Sequence, residues 1–323
     1  MTAVTMAKAL NQALRDALER DERVLVFGED VGKLGGVFRV TDGLTDAFGR
    51  RVFNTPLAEG AIAGIAVGLA IKGFRPVAEM QFDAFSYPSF EQVTSHLAKY
   101  RTRTQGACPM PVVVRIPYGG NIGAIEQHSE SPETYYAHTA GLKVVSPATP
   151  GDAYALLTAA IQDPDPVIFL EPKSRYWSKE EVELPSPALP LDRARIARAG
   201  TDATVIAYGP MVHVALAAAE TAAAEGTALE VVDLRSLAPL DMDTLAASVR
   251  KTRRAVVAHE APVFMGLGAE IAARLMHDLF DVLAAAVERV GSPTVPYPPS
   301  RFEKVFLPDA DRILEAVDRT REF

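Results

Sequence analysis

The sequence contains very little cysteine, because Cys108 is the only one among its 323 residues. A single cysteine excludes a disulfide within the chain and any zinc site built from four cysteines. Basic residues are also in deficit: 33 Lys and Arg stand against 41 Asp and Glu, for a net charge of −8. Binding to a nucleic-acid backbone draws on a surplus of basic charge, so we expect no nucleic-acid partner.

Long apolar segments are missing as well. The longest apolar run, Ala61–Ile71, is interrupted by glycines and is shorter than the roughly 20 residues that a membrane-spanning helix needs. The first residues lack the basic stretch followed by an apolar one that marks a secretory signal. We therefore expect a cytoplasmic protein without a membrane anchor. The sequence also lacks the Gly-rich phosphate loop of nucleotide hydrolases and the Gly-x-Ser-x-Gly turn of serine hydrolases.

Short apolar runs typical of buried strands alternate with helix-like segments along both halves of the chain. The first helix, for example, has an apolar residue at every fourth position from Met6 to Leu18, which gives one apolar stripe. Repeated strand–helix–strand units predict parallel sheets with right-handed crossovers. The pattern breaks in the proline-rich stretch 171–191. The sequence therefore predicts an α/β protein of two domains, each a mostly parallel sheet flanked by helices, over residues 1–175 and 196–323, with a linker over 176–195.

Ligands of parallel sheets bind beyond the carboxyl ends of the strands, which directs attention to the loops there. Glu59 opens a helix after such a loop. It is either a first-turn carboxylate that complements the helix dipole or a carboxylate that holds a proton for a ligand's ring nitrogen. His128 lies in the long polar loop 118–138. It is either a solvated loop residue or a general acid/base that titrates near neutral pH.

Two glycine patterns allow more than one interpretation. Gly60, Gly64 and Gly68 share one helix face, which suits either tight packing within the chain or a subunit interface. The Gly266–Gly268 segment opens another helix with half of a dinucleotide-binding fingerprint. A simple helix entry explains it, and the alternative is a non-catalytic Rossmann-like nucleotide-binding or electron-transfer module.

Nine motifs occur in a fixed order over nearly the whole chain. The first half contains Gly28-Glu29-Asp30-Val31-Gly32, Asn54-Thr55-Pro56-Leu57-Ala58-Glu59, Arg75-Pro76-Val77-Ala78-Glu79, His128-Ser129-Glu130-Ser131-Pro132-Glu133, Gly141-Leu142-Lys143-Val144-Val145 and Phe169-Leu170-Glu171-Pro172-Lys173. The second half contains Val232-Asp233-Leu234-Arg235, His259-Glu260-Ala261-Pro262 and Thr294-Val295-Pro296-Tyr297-Pro298. Together they resemble the β subunit of the thiamine-diphosphate-dependent decarboxylase component of 2-oxo acid dehydrogenase complexes, which is similar to part of transketolase.

The resemblance implies a transketolase-like pyrimidine-binding domain followed by a transketolase C-terminal-like domain. It implies thiamine diphosphate shared with an α subunit, which holds the diphosphate and magnesium through a Gly-Asp-Gly…Asn motif. This chain has no such motif, and its one Gly-Asp pair is Gly151-Asp152. Two α and two β chains would together decarboxylate a 2-oxo acid and acylate the lipoyl group of an acyltransferase core. A β subunit that serves only as a scaffold is a further alternative, against which the intact Glu59 and His128 count.

By the same resemblance, Glu59 hydrogen-bonds the pyrimidine nitrogen, Leu57, Gln81 and Phe85 lie beside the ring, and His128 assists acyl transfer. Other positions match residues that hold potassium in some family members, with an aspartate at the last where asparagine is common; they are Val112, Ala160, Ile161, Asp163 and Asp165. The histidine motif and the 258–262 segment look most like branched-chain 2-oxo acid enzymes. Phe85 looks like the residue of pyruvate enzymes, so pyruvate is the second candidate substrate.

Overall fold

A computed structural model describes residues 2–322. The chain divides into two compact units. The first comprises Met1–Tyr118 and Tyr135–Leu191, and the second comprises Gly119–Thr134 and Asp192–Phe323. Among the described residues, no helix is both long and apolar enough to cross a membrane.

Strands and helices alternate along the first 191 residues, as predicted. The strands are β1 (Thr2–Thr5), β2 (Val24–Gly28), β3 (Val52–Asn54), β4 (Arg75–Glu79), β5 (Val113–Tyr118), β6 (Lys143–Val145), β7 (Val167–Pro172) and β8 (Lys179–Val182). The helices are α1 (Met6–Arg20), α2 (Leu44–Phe48), α3 (Glu59–Ile71), α4 (Ala98–Arg103), α5 (Glu133–Ala137) and α6 (Pro150–Gln162).

The first unit is built on a parallel sheet whose strands follow the order β6-β7-β5-β4-β2-β3. Strands β2, β5 and β7 are buried along their whole length, which is why they read as continuous apolar runs. The apolar stripe of α1 packs against α6, so that Leu10, Leu14 and Leu157 share one core. Thr5 caps α1, because its hydroxyl accepts a hydrogen bond from the Lys8 N–H at 3.3 Å.

The second unit has a five-stranded sheet in the order β14-β13-β10-β11-β9. Its strands are β9 (Arg195–Arg198), β10 (Ala203–Ala207), β11 (Leu229–Asp233), β12 (Ser236–Ala238), β13 (Ala255–Pro262) and β14 (Glu288–Ser292), where β12 lies outside that sheet. Its helices are α7 (Met211–Ala224), α8 (Met242–Thr252), α9 (Leu267–Asp278), α10 (Glu303–Phe306) and α11 (Ala310–Arg321). All pairs in this sheet are parallel except β9 with β11.

The structure departs from the sequence-based expectations in two segments. Residues 119–134, predicted inside the first domain, cluster with the second unit, where the Tyr208 hydroxyl donates to the Glu133 carboxylate at 2.6 Å. Residues 176–191, predicted as linker, belong to the first unit, because β8 pairs antiparallel with β1.

Residues 84–103 contain three short helical pieces instead of one continuous helix. A 3-10 helix covers Ala84–Ser89, a π-helix covers Gln92–Leu97, and only Ala98–Arg103 is α-helical. Pro88 lies inside the first piece, where its missing N–H breaks the regular hydrogen-bond pattern.

Candidate active site

The carboxyl ends of three parallel strands gather the predicted cofactor residues of the first unit at one sheet edge. In the register of the sheet, Gly28 at the end of β2 pairs with Asn54 at the end of β3 and with Glu79 at the end of β4. The segments that follow these strands therefore leave the sheet side by side. The sequence predicts this edge as the ligand side, and the strand register places the segments that carry the predicted residues there.

Glu59 is the first residue of α3, where the helix N-terminus favours negative charge. It is half-buried, and its charge acts on the neighbouring Glu29, which follows β2 directly. Glu29 is buried, and neither of its carboxylate oxygens has a hydrogen-bond partner among residues 2–322. Burial, together with the charges of Glu59 and Asp30, raises the pKa of Glu29 to about 7. At neutral pH this group of carboxyls can therefore retain a proton.

The other predicted cofactor residues lie in the segments that follow β3 and β4. Gln81 donates from Nε2 to Asp30 Oδ2 at 2.8 Å, which ties the segment after β4 to the segment after β2. Phe85 lies in the 3-10 helix and meets Phe82 edge to face, with ring centroids 5.7 Å apart. Leu57 is 77% exposed, so this edge presents an apolar side chain to solvent beside the acidic group.

A buried network of ion pairs joins strands β4, β5 and β7 near the same edge of the sheet. Arg115 on β5 donates to both carboxylate oxygens of Glu171 on β7, at 2.6 and 2.9 Å, and to Glu79 on β4 at 2.5 Å. The Tyr176 hydroxyl donates to Glu171 at 2.5 Å. Burial and the Glu171 charge raise the pKa of Glu79, against the lowering effect of Arg115. These cross-links fix the ends of three strands relative to one another.

Sequence reasoning missed both Glu29 and this network as parts of the site. The available signal was a charged residue inside an otherwise apolar strand run, as with Arg115 in Val112–Ile116 and Glu171 after Val167–Leu170. Such residues are almost never fully buried unless paired, so they predict a buried ionic partner.

His128 belongs to the second unit, whereas the other predicted site residues belong to the first. It ends a 3-10 turn, Glu126–His128, and its N–H donates to the Ile125 carbonyl at 3.0 Å. The loop that carries it closes on itself, because the Gly119 N–H donates to the Glu130 carbonyl at 2.9 Å. The predicted long loop is thus a compact loop with one turn of helix and adjoining ends.

Comparison with known proteins assigns both halves of the chain. Residues 2–178 match the family model "Transketolase, pyrimidine binding domain", and residues 192–313 match "Transketolase, C-terminal domain". The chain is 58% identical to the 3-methyl-2-oxobutanoate dehydrogenase subunit beta of Mycobacterium tuberculosis, over 98% of this chain and 92% of that one. It is 56% identical to the pyruvate dehydrogenase E1 component subunit beta of Leifsonia xyli subsp. xyli, over 98% and 95%.

This chain belongs to the β-subunit family of 2-oxo acid dehydrogenases. A further β-subunit relative, the pyruvate dehydrogenase E1 component subunit beta of Bacillus subtilis, is 46% identical over the full length of both chains. Among solved structures, a split gene transketolase described as an inactive beta4 tetramer superposes with a TM-score of 0.81 at 26% identity, over 99% of this chain and 98% of that one. The predicted family and two-domain α/β fold are therefore confirmed.

The alternative of a nucleotide-binding module finds no support in this β-subunit chain. Gly266 and Gly268 pack against the buried ring of His259, and a Cβ at either position would lie within 2.8 Å of that ring. Burial lowers the pKa of His259 to about 4. The two glycines therefore serve packing inside the second unit, which is the simpler of the two interpretations of that motif.

The only Gly-Asp pair of the chain is likewise structural. Gly151 and Asp152 lie in the first turn of α6, where the Asp152 N–H donates to the Thr149 hydroxyl at 3.2 Å. No group of three or more His, Cys, Asp or Glu side chains within residues 2–322 could hold a metal ion.

Four of the five residues predicted to hold potassium have main-chain oxygens that accept hydrogen bonds within the first unit. Arg75 donates from Nη1 to the Ile161 carbonyl at 2.8 Å and to the Asp163 carbonyl at 3.5 Å. The Val112 carbonyl accepts from the Val167 N–H at 2.9 Å, and the Ala160 carbonyl accepts from the Asp163 N–H at 3.3 Å. The Arg75 guanidinium therefore donates to the Ile161 and Asp163 carbonyls, whereas the Val112 and Ala160 carbonyls accept backbone N–H groups.

The two carboxylates of the predicted potassium site are also paired. Lys143 Nζ lies 2.8 and 2.6 Å from the Asp163 carboxylate oxygens and 3.4 Å from Asp165. Arg101 forms an ion pair with Asp165. The chain's own bases therefore balance the negative charge of Asp163 and Asp165, and a cation bound here would compete with them for the same oxygens.

Proposed function

We propose that this chain is the β subunit of a 2-oxo acid dehydrogenase that oxidatively decarboxylates its substrate and reductively acylates a lipoyl group. The observation that carries the proposal is the acidic group at the carboxyl edge of the first sheet, with Glu59 at the start of α3 and the buried Glu29 beside it. A group that holds a proton there suits the pyrimidine ring of thiamine diphosphate, which needs a proton partner at its ring nitrogen.

The cofactor would be shared between two kinds of chain. When bound, thiamine diphosphate supplies the nucleophilic carbon and the electron sink for loss of carbon dioxide. This chain's share is to orient the pyrimidine end and exchange a proton with it through Glu59. Leu57 and Phe85 offer it apolar surface, and the Gln81–Asp30 hydrogen bond holds the segment after β4 against the segment after β2. Magnesium and the diphosphate belong to the α subunit, since this chain has no Gly-Asp-Gly motif.

Substituting Glu59 by glutamine tests the proton-transfer role. With the α subunit present, we expect Glu59→Gln to reduce the decarboxylation rate by about 10²- to 10⁴-fold, because the amide still hydrogen-bonds but cannot share a proton. Circular dichroism and melting should match the wild type. Glu22→Gln, at an exposed position before the amino end of β2, is the matched control. A rate close to wild type in Glu59→Gln would show that Glu59 transfers no proton and only complements the helix dipole.

His128 is proposed to assist transfer of the acyl group to the lipoyl dithiolane. That step needs a proton for the sulfur that leaves, and an imidazole that titrates near neutral pH suits this task. We expect His128→Ala to lose most of the rate with a lipoylated domain and to keep a measurable rate with an artificial electron acceptor. An equal loss in the two assays would show that His128 also acts before acyl transfer.

The assembly proposed is two α and two β chains. The surface of α3 supports an interface in the first unit, because Ile65 and Ile71 are more than 40% exposed and a Cβ at Gly68 would meet nothing within 4 Å. Gly60, by contrast, packs against the Pro88 carbonyl within the chain. The lone chain should bind thiamine diphosphate poorly and be inactive until the α subunit is added.

The second unit is proposed to dock the lipoyl-bearing acyltransferase core. Phe302 just before α10 and Val305 within it are 49% and 71% exposed. The acidic Asp309 caps α11 and Asp311 lies in its first turn, where they could steer a basic partner. Hydrogen exchange of the assembled enzyme with and without the core tests this. Protection restricted to residues 1–170 would place the docking surface on the first unit instead.

A branched-chain 2-oxo acid is the proposed substrate, with pyruvate second. The histidine and 258–262 motifs favour the branched-chain type and Phe85 favours pyruvate. Measurement of kcat/KM for 3-methyl-2-oxobutanoate and for pyruvate on the same α/β enzyme decides between them.

A further inference from the structure

In the loop that carries His128, backbone N–H groups near the start of the loop donate hydrogen bonds to two carboxylates that are distant in the sequence. The Gly120 N–H donates to Glu260 Oε2 at 3.0 Å. The Asn121 N–H donates to Glu303 Oε1 at 2.8 Å, and the Gly123 N–H lies 3.2 and 3.4 Å from the two Glu303 oxygens. All of these residues belong to the second unit.

Both carboxylates are buried. Glu303, the first residue of α10, is 7% exposed, and Glu260 on β13 is 8% exposed. Hydrogen bonds to an ionised acceptor are the stronger kind, and burial removes the competition of water. The first half of the loop is therefore fastened by charge-assisted bonds, whereas its second half is closed by local backbone bonds such as that of His128 to Ile125.

Tyr297 is a third residue in contact with Glu303 and the start of the loop. Its hydroxyl donates to Glu303 Oε1 at 2.5 Å, and its ring packs edge-on against Phe306 of the same α10 helix. A Cβ at Gly120 would lie 2.2 Å from the Tyr297 hydroxyl, and a Cβ at Gly119 would lie 2.7 Å from Glu260 Oε2. The two glycines are thus the residues that let the loop backbone lie directly against Tyr297 and Glu260.

We propose that Glu303 and Glu260 are positioning residues that hold the His128 loop in its working conformation, and that Tyr297 orients Glu303. They act on the backbone of residues 120–123, upstream of His128. This inference rests on the proposed function insofar as it assigns the loop a role in acyl transfer. A loop with three glycines within residues 119–123 loses much conformational entropy on ordering, so these bonds decide how much of the time it is ordered.

The test uses the assembled α/β enzyme carrying Glu303→Gln. The three donors on Glu303 then face one remaining oxygen and an NH2 group, so at least one donor loses its acceptor. We expect hydrogen exchange of the 119–130 amides to accelerate by about tenfold, while β10 and β13 keep their protection. The lipoyl-dependent rate should fall by a similar factor, and the rate with an artificial electron acceptor should stay near wild type.

Two further variants make the outcome decisive. Tyr297→Phe removes only the hydroxyl, so it should show a smaller change of the same kind even if Glu303→Gln folds poorly. Glu315→Gln, at an exposed glutamate of α11, is the matched control and should change neither readout. Unchanged exchange of the loop in Glu303→Gln and in Tyr297→Phe would overturn the inference, as would uniform acceleration across the whole second unit.

The two proposals can fail separately. If His128→Ala leaves the lipoyl-dependent rate unchanged, the proposed role of His128 is wrong. Loop exchange in Glu303→Gln still decides whether Glu303 positions the loop.

Discussion

Glu29 should make the stability of the first unit depend on pH. Its pKa lies at about 7 in the folded chain instead of the ordinary 4.5, chiefly because the carboxyl is buried and then because Glu59 and Asp30 are close. The folded state therefore keeps a proton that the unfolded chain has already released. Stability from this group is fully present below pH 4.5, falls as pH rises through 4.5 to about 7, and levels off above that.

The size of the effect follows from the shift. Each pKa unit is worth roughly 1.4 kcal/mol, so ionised Glu29 should lower the free energy of unfolding by about 3 kcal/mol at pH 8. Glu29→Gln stays neutral at every pH and removes this dependence. The difference in unfolding free energy between variant and wild type should therefore grow by about 3 kcal/mol in favour of the variant between pH 4.5 and pH 8.

Urea denaturation of the purified chain at a fixed concentration measures this difference. The only tryptophan, Trp177, lies in the first unit and reports its unfolding by fluorescence. Groups that do not interact with Glu29 contribute equally to both proteins and cancel in the comparison. A difference that stays constant from pH 4.5 to pH 8 would refute the reasoning and place Glu29 in contact with water.

Two further predictions concern the first unit. Arg115→Met should destabilise the chain by about 3–5 kcal/mol, because it leaves buried carboxylates without their cation; Glu79→Gln should destabilise it much less, because the two bonds from Arg115 to Glu171 remain. Equal losses in urea denaturation would contradict this account of the network. Replacing potassium by tetramethylammonium at constant ionic strength should leave the melting temperature unchanged, since Arg75, Lys143 and Arg101 already satisfy the oxygens of that site; a melting temperature that rises with potassium alone would show that a cation binds there.

Local sequence pattern was enough to predict most strands and helices of both units. The fourfold spacing of apolar residues from Met6 to Leu18 predicts α1, and the apolar runs at Val24–Phe27 and Ala203–Ala207 predict β2 and β10. These helices and strands depend on neighbours along the chain, so the periodicity of apolar residues suffices to predict them. The ordered motifs added the family, and they named Glu59 and His128 before any geometry was known.

Strand pairing was decided only by the tertiary structure. Nothing local marks Lys179–Val182 as a strand, because its partner Thr2–Thr5 lies at the other end of the first unit. The same is true of the edge strand β9, whose ladder partner β11 lies some 30 residues on. A strand with few apolar residues is stabilised by its partner's hydrogen bonds, and these leave no periodic signal in its own sequence.

The surroundings of the site residues were also decided by contacts between distant parts of the chain. Glu29 reads in the sequence as an ordinary polar residue after a strand, and its raised pKa depends on burial and on Glu59, 30 positions away. Glu303 reads as the start of a short helix, yet it accepts a hydrogen bond from Asn121, 182 positions before it. A sequence determines which groups are available, whereas burial and charge proximity, which set proton affinity and loop order, exist only once the chain has folded.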